Sequence, residues 1–215
     1  MKHRGTTWPA LLGAAVLSAV LAAPVRAQVA TDCFSEDNER RFAGCTLIIE
    51  DPSVSEADRA NAYSLRALSL SLKQQYEQSI KDYDAAIAIN PNFAVALNNR
   101  AWAYHKWGRG PEGLDDVERS LRLNPMSEHT WDTRAHIRQA MGNHSGALTD
   151  YQQAMLIGGS RMVKLYQCGL SASGLYRGRL DGIYNDELGD ALKTCASSRT
   201  CDPLPADEEC RDPLS

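Results

Sequence analysis

The stretch Ala85-Ala-Ile-Ala-Ile-Asn-Pro-Asn-Phe-Ala-Val-Ala-Leu-Asn-Asn-Arg-Ala101 decides how the rest of the chain is read, because its pattern returns 34 residues later. There it runs Arg119-Ser-Leu-Arg-Leu-Asn-Pro-Met-Ser-Glu-His-Thr-Trp-Asp-Thr-Arg-Ala135. Asn90-Pro91 matches Asn124-Pro125, and Arg100-Ala101 matches both Arg134-Ala135 and, one period upstream, Arg66-Ala67. Small residues recur at 79, 113 and 147 (Ser, Gly, Ala) and at 86, 120 and 154 (Ala, Ser, Ala). Apolar columns run through Ile80, Leu114 and Leu148, through Ile87, Leu121 and Met155, and through Ile89, Leu123 and Ile157. Tyr83, Val117 and Tyr151 form another column. A fixed period of this length means one structural unit copied along the chain. Two antiparallel helices per unit fit it: small residues let backbones approach, and the apolar columns fill the seams.

The breakers fall between those helices. Gly108 and Gly110-Pro111 separate the pair in the second unit, with Pro111 suited to a first helical turn. Gly142-Asn143 does the same in the third, and Pro91 and Pro125 end the second helices of their units. Gly158-Gly159 replaces Asn-Pro after the third unit, so the array is expected to stop there.

These columns resemble the tetratricopeptide repeat, over residues 60–159 in three copies, 60–93, 94–127 and 128–159. The resemblance implies an all-α fold, a right-handed superhelical stack of helix-turn-helix repeats, and a small disulfide-stapled helical module is expected to follow it. Residues 28–58 are expected to form an N-terminal capping helix or degenerate leading repeat. Ser55-x-x-Asp58 would cap the next helix. Such stacks curve, and the leading helix of each pair lines the concave side, where a peptide or partner helix docks. Helical spacing turns Asn98, Asn99, Trp102 and His105 of the second repeat toward that groove, with Asp132, Thr133 and His136 of the third. Asparagine amides suit a peptide backbone and aromatic rings suit its side chains. Trp102 has an alternative role, packing between repeats. In carboxylate-clamp members of the family, Lys, Arg and Asn converge on a peptide's terminal carboxylate. The matching places here hold Ser64, Leu68, Asn99, His129 and Thr133, so only the asparagine fits that pattern. No metal is expected: His129, Asp132 and His136 share a face, but seven residues of helix separate the histidines by about 10 Å.

The chain ends carry a second set of signals. Lys2, His3 and Arg4 precede an apolar run from Ala10 to Ala23, and Val25-Arg26-Ala27 offers small residues at a cleavage site, so residues 1–27 read as a secretory signal cut near Ala27. The run falls short of the about 20 residues that span a bilayer, so no membrane span is expected in the mature chain. Removing it leaves 20 basic against 27 acidic residues, a balance that excludes nucleic acid as a partner. All six cysteines lie beyond the signal, and an even count in an exported chain favours disulfides. Proximity along the chain suggests Cys33–Cys45, Cys168–Cys195 and Cys201–Cys210. Export to the periplasm of a Gram-negative bacterium is expected.

Beyond the repeats, Gly174-Leu-Tyr-Arg-Gly-Arg-Leu-Asp-Gly-Ile-Tyr184 places glycines where helical spacing ends. A phosphate loop would need a preceding strand, a calcium loop alternating carboxylates, and a membrane pairing motif an apolar 20-residue run; none is present. Two helices flank the stretch, one with Val163, Tyr166 and Leu170 inward, the other with Leu188, Ala191, Leu192 and Cys195 inward. The run Tyr166-Gln167, Leu170, Gly174-Leu175-Tyr176, Gly178, Leu180-Asp181-Gly182 and Tyr184 resembles the bacterial peptidoglycan-binding domain, over residues 160–198. It departs from that pattern at Asn185, Leu188 and Cys195, which stand for a glycine, a threonine and an aromatic. The resemblance implies peptidoglycan as a second partner, with Tyr176, Arg177, Asp181 and Tyr184 as glycan-contact candidates. Arg161, Lys164, Arg177 and Arg179 make this region locally basic, while residues 199–215 form an acidic tail.

No catalytic constellation stands out. The chain lacks GxSxG, HExxH and dinucleotide-binding fingerprints, so neither an enzyme nor a cofactor is expected. The sequence therefore points to a non-catalytic periplasmic adaptor whose groove takes a protein or peptide, tethered to peptidoglycan by its C-terminal module. The alternatives are a soluble assembly factor of chaperone type without wall binding and, as a minor one, a cell-wall-active enzyme.

Overall fold

The computed structural model describes residues 28–204; the expected export signal and the end of the acidic tail, with Cys210, lie outside the described residues. Every regular element among the described residues is helical. After a helical segment at 28–33 come α1 (Asn38–Glu50), α2 (Glu56–Leu72), α3 (Tyr76–Ile89) and α4 (Ala94–Lys106). A 3-10 turn at Gly110–Gly113 leads into α5 (Leu114–Leu123), followed by α6 (Glu128–Ala140), α7 (His144–Ala172) and α8 (Asp186–Ala196). No described helix is long and apolar enough to cross a membrane.

The hairpins α2/α3, α4/α5 and α6 with the first half of α7 are the three repeats. Their seams follow from the small-residue columns. Ala67, Ala101 and Ala135 are wholly buried. At Gly113 a Cβ would lie 2.8 Å from the Ala101 Cα, so only glycine lets α4 and the following turn come this close. The first repeat starts earlier than its sequence register indicates. Ser55 caps α2 by accepting from the Asp58 backbone N–H, and α2 gains a turn over the equivalent helices.

Each hairpin is also clasped by an ion pair, a feature of the 34-residue period that the apolar columns do not reveal. Arg66 forks onto Asp82 at 2.7 and 2.8 Å, Arg100 onto Asp116 at 2.6 and 2.7 Å, and Arg134 onto Asp150 at 2.9 and 2.8 Å. The arginine sits on the leading helix and the aspartate sixteen residues on, along the returning helix. Bidentate guanidinium-carboxylate geometry fixes the two helices in register as well as holding them. Asp150 is the most deeply placed and receives a second cation, with Arg138 Nη1 at 2.8 Å.

The array does not stop at Gly158-Gly159. Gly159 has φ 60° and ψ −151°, a backbone state that essentially only glycine adopts, and it turns α7 sharply within one continuous run. The second half of α7 then occupies the place of a further leading helix, and Gly169 continues the column of Ala67, Ala101 and Ala135. With α8 it packs on the third repeat in one shared core, which joins Ala135, Tyr151, Ala154 and Met155 to Met162, Tyr166, Leu188 and Leu192. The expected C-terminal module is thus the last layer of the stack.

Two expected disulfides are corrected. Cys195 is bonded to Cys201, so the pairs Cys168–Cys195 and Cys201–Cys210 do not form. The reason is local: α8 ends at Ala196, and the chain turns back there, bringing Cys201 to within 5.2 Å (Cα–Cα) of Cys195. Cys168, on α7, is also oxidised. Cys33 and Cys45 are bridged, both buried, and staple the segment 28–33 to α1.

Candidate functional site

The leading helices α4 and α6 run side by side and present a groove with two unlike halves. In the first half, Val95, Asn98 and Asn99 of α4 face Asn124, Ser127, His129 and Thr130 across a cavity of about 170 Å³. Asn98 donates to Asn99 Oδ1 at 3.2 Å, while its own Oδ1 is shielded and has no partner among the described residues. Val95 is 59 % exposed at the rim. Chemically this half offers amides and hydroxyls beside a small apolar edge, which suits an extended backbone.

An aromatic line joins this half to the next. Trp102 stacks on His105 at 5.1 Å and meets His136 edge-on at 5.2 Å; His136 then meets Tyr151, and Tyr151 meets Tyr166. Lys106 holds its ammonium 5.3 Å from the Trp102 ring centre, a cation–π contact. Burial pushes His105 down to about 4, helped by the neighbouring His136, so His105 is neutral at physiological pH.

The second half lies over α6 and is closed. Asp132, Thr133 and His136, expected to face the groove, are buried. The Thr133 hydroxyl is spent on the His129 carbonyl of its own helix at 2.9 Å. His136 Nε2 lies 3.0 Å from Asp202 Oδ1, and its Nδ1 lies 2.9 Å from the Asp132 carbonyl oxygen and 3.3 Å from Asp132 Oδ2. Burial alone would lower the His136 pKa; the two carboxylates overturn that and raise it to about 10, so the ring is an imidazolium here. Asp202 shows the mirror effect: burial would raise it, but the His136 contact holds it below the ordinary carboxylate value. Tyr166 donates its hydroxyl to Asp132 on the far side.

What closes this half is the chain itself. Residues 197–204 leave α8 and cross the floor of the third repeat. Gln139 donates its amide to the carbonyls of Cys201 at 2.7 Å, Ser198, and Cys195 at 3.2 Å, while its Oε1 accepts from the Tyr151 hydroxyl at 2.6 Å. Pro203 is buried and Leu204 packs on the core. Gln139, Tyr151, Tyr166 and Asp202 were not singled out by groove spacing. The tyrosines belong to apolar positions, and nothing in a tail sequence announces a single docking aspartate.

Of the glycan candidates, Tyr176 is withdrawn from the surface. The Tyr176 ring is 1 % exposed, inside the core, and its hydroxyl donates to the Arg179 carbonyl while accepting from Asn185. A buried ring cannot stack on a sugar, so that expectation is corrected. Asp181 is engaged within the loop by Gln167 and by the Ile183 backbone N–H. Arg177 and Tyr184 remain at the surface. Among the described residues, no three His, Cys, Asp or Glu side chains are grouped to hold a metal ion.

A family profile described as a TPR repeat matches residues 67–108, inside the clasped hairpins. The chain carries tetratricopeptide repeats. It is 31 % identical over 105 residues to Hsp70-Hsp90 organizing protein 3 of Arabidopsis thaliana, covering 49 % of this chain and 18 % of that protein. It is 27 % identical over 123 residues to small glutamine-rich tetratricopeptide repeat-containing protein 2 of Mycosarcoma maydis, covering 57 % and 34 %. It is 29 % identical over 108 residues to serine/threonine-protein phosphatase 5 of Rattus norvegicus, covering 50 % and 22 %. The chain therefore spans a minor part of these relatives' own length. Among solved structures, the crystal structure of MamA aligns with TM-score 0.54 at 14 % identity over 66 % of this chain and 84 % of that one, a likeness of fold alone.

Proposed function

We propose that this tetratricopeptide-repeat protein is a non-catalytic periplasmic adaptor that holds an extended segment of a protein partner in the open half of its groove. The observation that carries this is the Asn98–Asn99–Asn124 cavity next to the partly exposed Trp102, which offers backbone-type hydrogen bonds near an aromatic face. The relatives' names tie such repeats to assembly work on other proteins, as in an organizing protein for Hsp70 and Hsp90. A chaperone-tail receptor of clamp type is less suited, since its lysine and arginine positions hold Ser64, Leu68 and His129 here.

Bridged cysteines, together with the export signal expected at residues 1–27, fit an oxidising compartment. The last layer acts in this proposal as a structural end cap, with no grip on the wall, because Tyr176 is locked in the core. In-cell crosslinking followed by purification of the full chain should recover a protein partner that Asn98→Ala with Trp102→Ala loses. Recovery undiminished by both changes refutes the groove assignment. Full-length protein should not co-sediment with purified peptidoglycan; pelleting abolished by Arg177→Ala would restore the tether.

A further inference from the structure

The seven cited groove residues divide between an open half and a half already filled, and the filling has the features of a bound peptide. A short looped segment lies against α6, its carbonyls take hydrogen bonds from one glutamine amide, a carboxylate meets a buried imidazolium, and an apolar Pro-Leu pair docks beyond. We propose that the strap 197–204 is an internal occupant of the partner groove, and that the third-repeat half takes a partner segment bearing a carboxylate where Asp202 now lies. This rests on the adaptor proposal above and adds to it the chemistry of the partner and the step that precedes full engagement.

The strap shows what the closed half recognises. Gln139 reads backbone rather than side chains, and the carbonyls of Ser198 and Cys201 reach its one nitrogen because the bridged segment turns. His136 is fixed by Asp132 on one side and presents its second ring nitrogen outward to the Asp202 carboxylate. Lys106 adds positive charge at the same place. The matching element of a partner is therefore an acidic residue followed by apolar ones. Asp202 keeps half of its side-chain surface in solvent, so it is the accessible end of the contact, whereas His136 is closed in. Tethering keeps the strap at high local concentration, of order millimolar for a short connection, so an external segment competes only when it is longer or better matched. A partner anchored first on Asn98 and Trp102 has that advantage, since its second contact is then also intramolecular. The Cys195–Cys201 bridge limits how far the strap can swing once displaced, and it keeps the segment ready to return.

The experiment uses the full oxidised chain, 15N-labelled, with the Trp102 indole N–H as the reporter. The probe is the synthetic peptide Ser-Ser-Arg-Thr-Ser-Asp-Pro-Leu, the strap sequence with serine in place of Cys201, titrated to several millimolar. Against wild type, the strap competes and the indole resonance should move only at the highest concentrations. Against Asp202→Asn the same shift should reach half-saturation at a peptide concentration at least about tenfold lower. A peptide with Asn in place of its Asp should lose that gain. Asp202 is a half-exposed group on a surface segment, so the variant keeps the stack, and an unchanged far-UV helical spectrum verifies this even where the melting temperature falls. Identical titrations of the two proteins, no shift in either, or equal response to both peptides would each overturn the proposal. If partner capture through Asn98 and Trp102 persists in that case, the adaptor reading stands and only the strap's role is removed.

Discussion

The second and third repeats share one architecture and one period, yet they present opposite chemistry. On the second repeat, Asn98 and Asn99 line a cavity, and they and Trp102 stay partly exposed. On the third, Asp132 and His136 occupy matching helical positions but are buried under the strap. Beneath the surface the contrast continues. Asp116 relies on Arg100, whereas Asp150, 1 % exposed, is held by Arg134 and Arg138 together. The difference teaches that a repeat fixes where side chains point, while neighbours decide whether they are available. The period gives the third repeat the same groove positions, and the end of the chain uses them.

The largest expected effect separates the two clasps. Arg100→Ala leaves the buried Asp116 carboxylate without its fork and should cost about 3–5 kcal/mol of unfolding free energy in urea titrations. Arg134→Ala should cost clearly less, because Arg138 stays on Asp150. Equal losses would show that the second cation contributes nothing. Gly159→Ala comes next. Its φ and ψ are closed to alanine, so about 1–3 kcal/mol should be lost. Because the last layer shares the third repeat's core, the loss should appear in one cooperative transition rather than a separate early one.

The sharpest test of the contrast is the titration of His136. Its folded value is raised from the ordinary 6.5 to about 10, so its contribution is complete below about pH 6 and disappears as pH rises through 10. Asp202 is lowered, so its contribution is present above its ordinary value near 3.8 and fades as pH falls below that. The strap contact should therefore hold across the neutral range and weaken at both extremes. NMR of the His136 ring should show imidazolium shifts at pH 8, while His105 is neutral at that pH. A His136 midpoint near 6.5 would contradict the charged pair.

Much of the stack was legible because its determinants repeat. Ala67, Ala101 and Ala135 announce the seam, and Gly158-Gly159 announces a break, although the break proved to be a turn into another layer. The Arg66, Arg100 and Arg134 column was visible, but its partners Asp82, Asp116 and Asp150 were not, since only the closed hairpin bridges the sixteen residues between them. The groove was legible by direction and not by occupancy. Asn98 and Trp102 stand where spacing puts them, whereas the fate of His136 depended on Asp202, a lone residue 66 positions away. The expected Cys33–Cys45 bridge is present, and the other two expected disulfides erred. Cys195 and Cys201 are only six residues apart, nearer than either expected pair, and the turn after α8 joins them, while a Tyr176 framed by glycines is bound from inside by Gln167 and Asn185.

The central claim is that the open half of the groove, between α4 and α6, is where a protein docks. A benzoylphenylalanine crosslinker at Val95, on the groove rim, tests it against the same group at Asp115 on the exposed face of α5. After irradiation in cells, Val95 should yield a discrete adduct that vanishes when Asn98→Ala and Trp102→Ala are added, and Asp115 should yield none. Adducts from Asp115 alone, or from both positions regardless of those changes, would contradict the account.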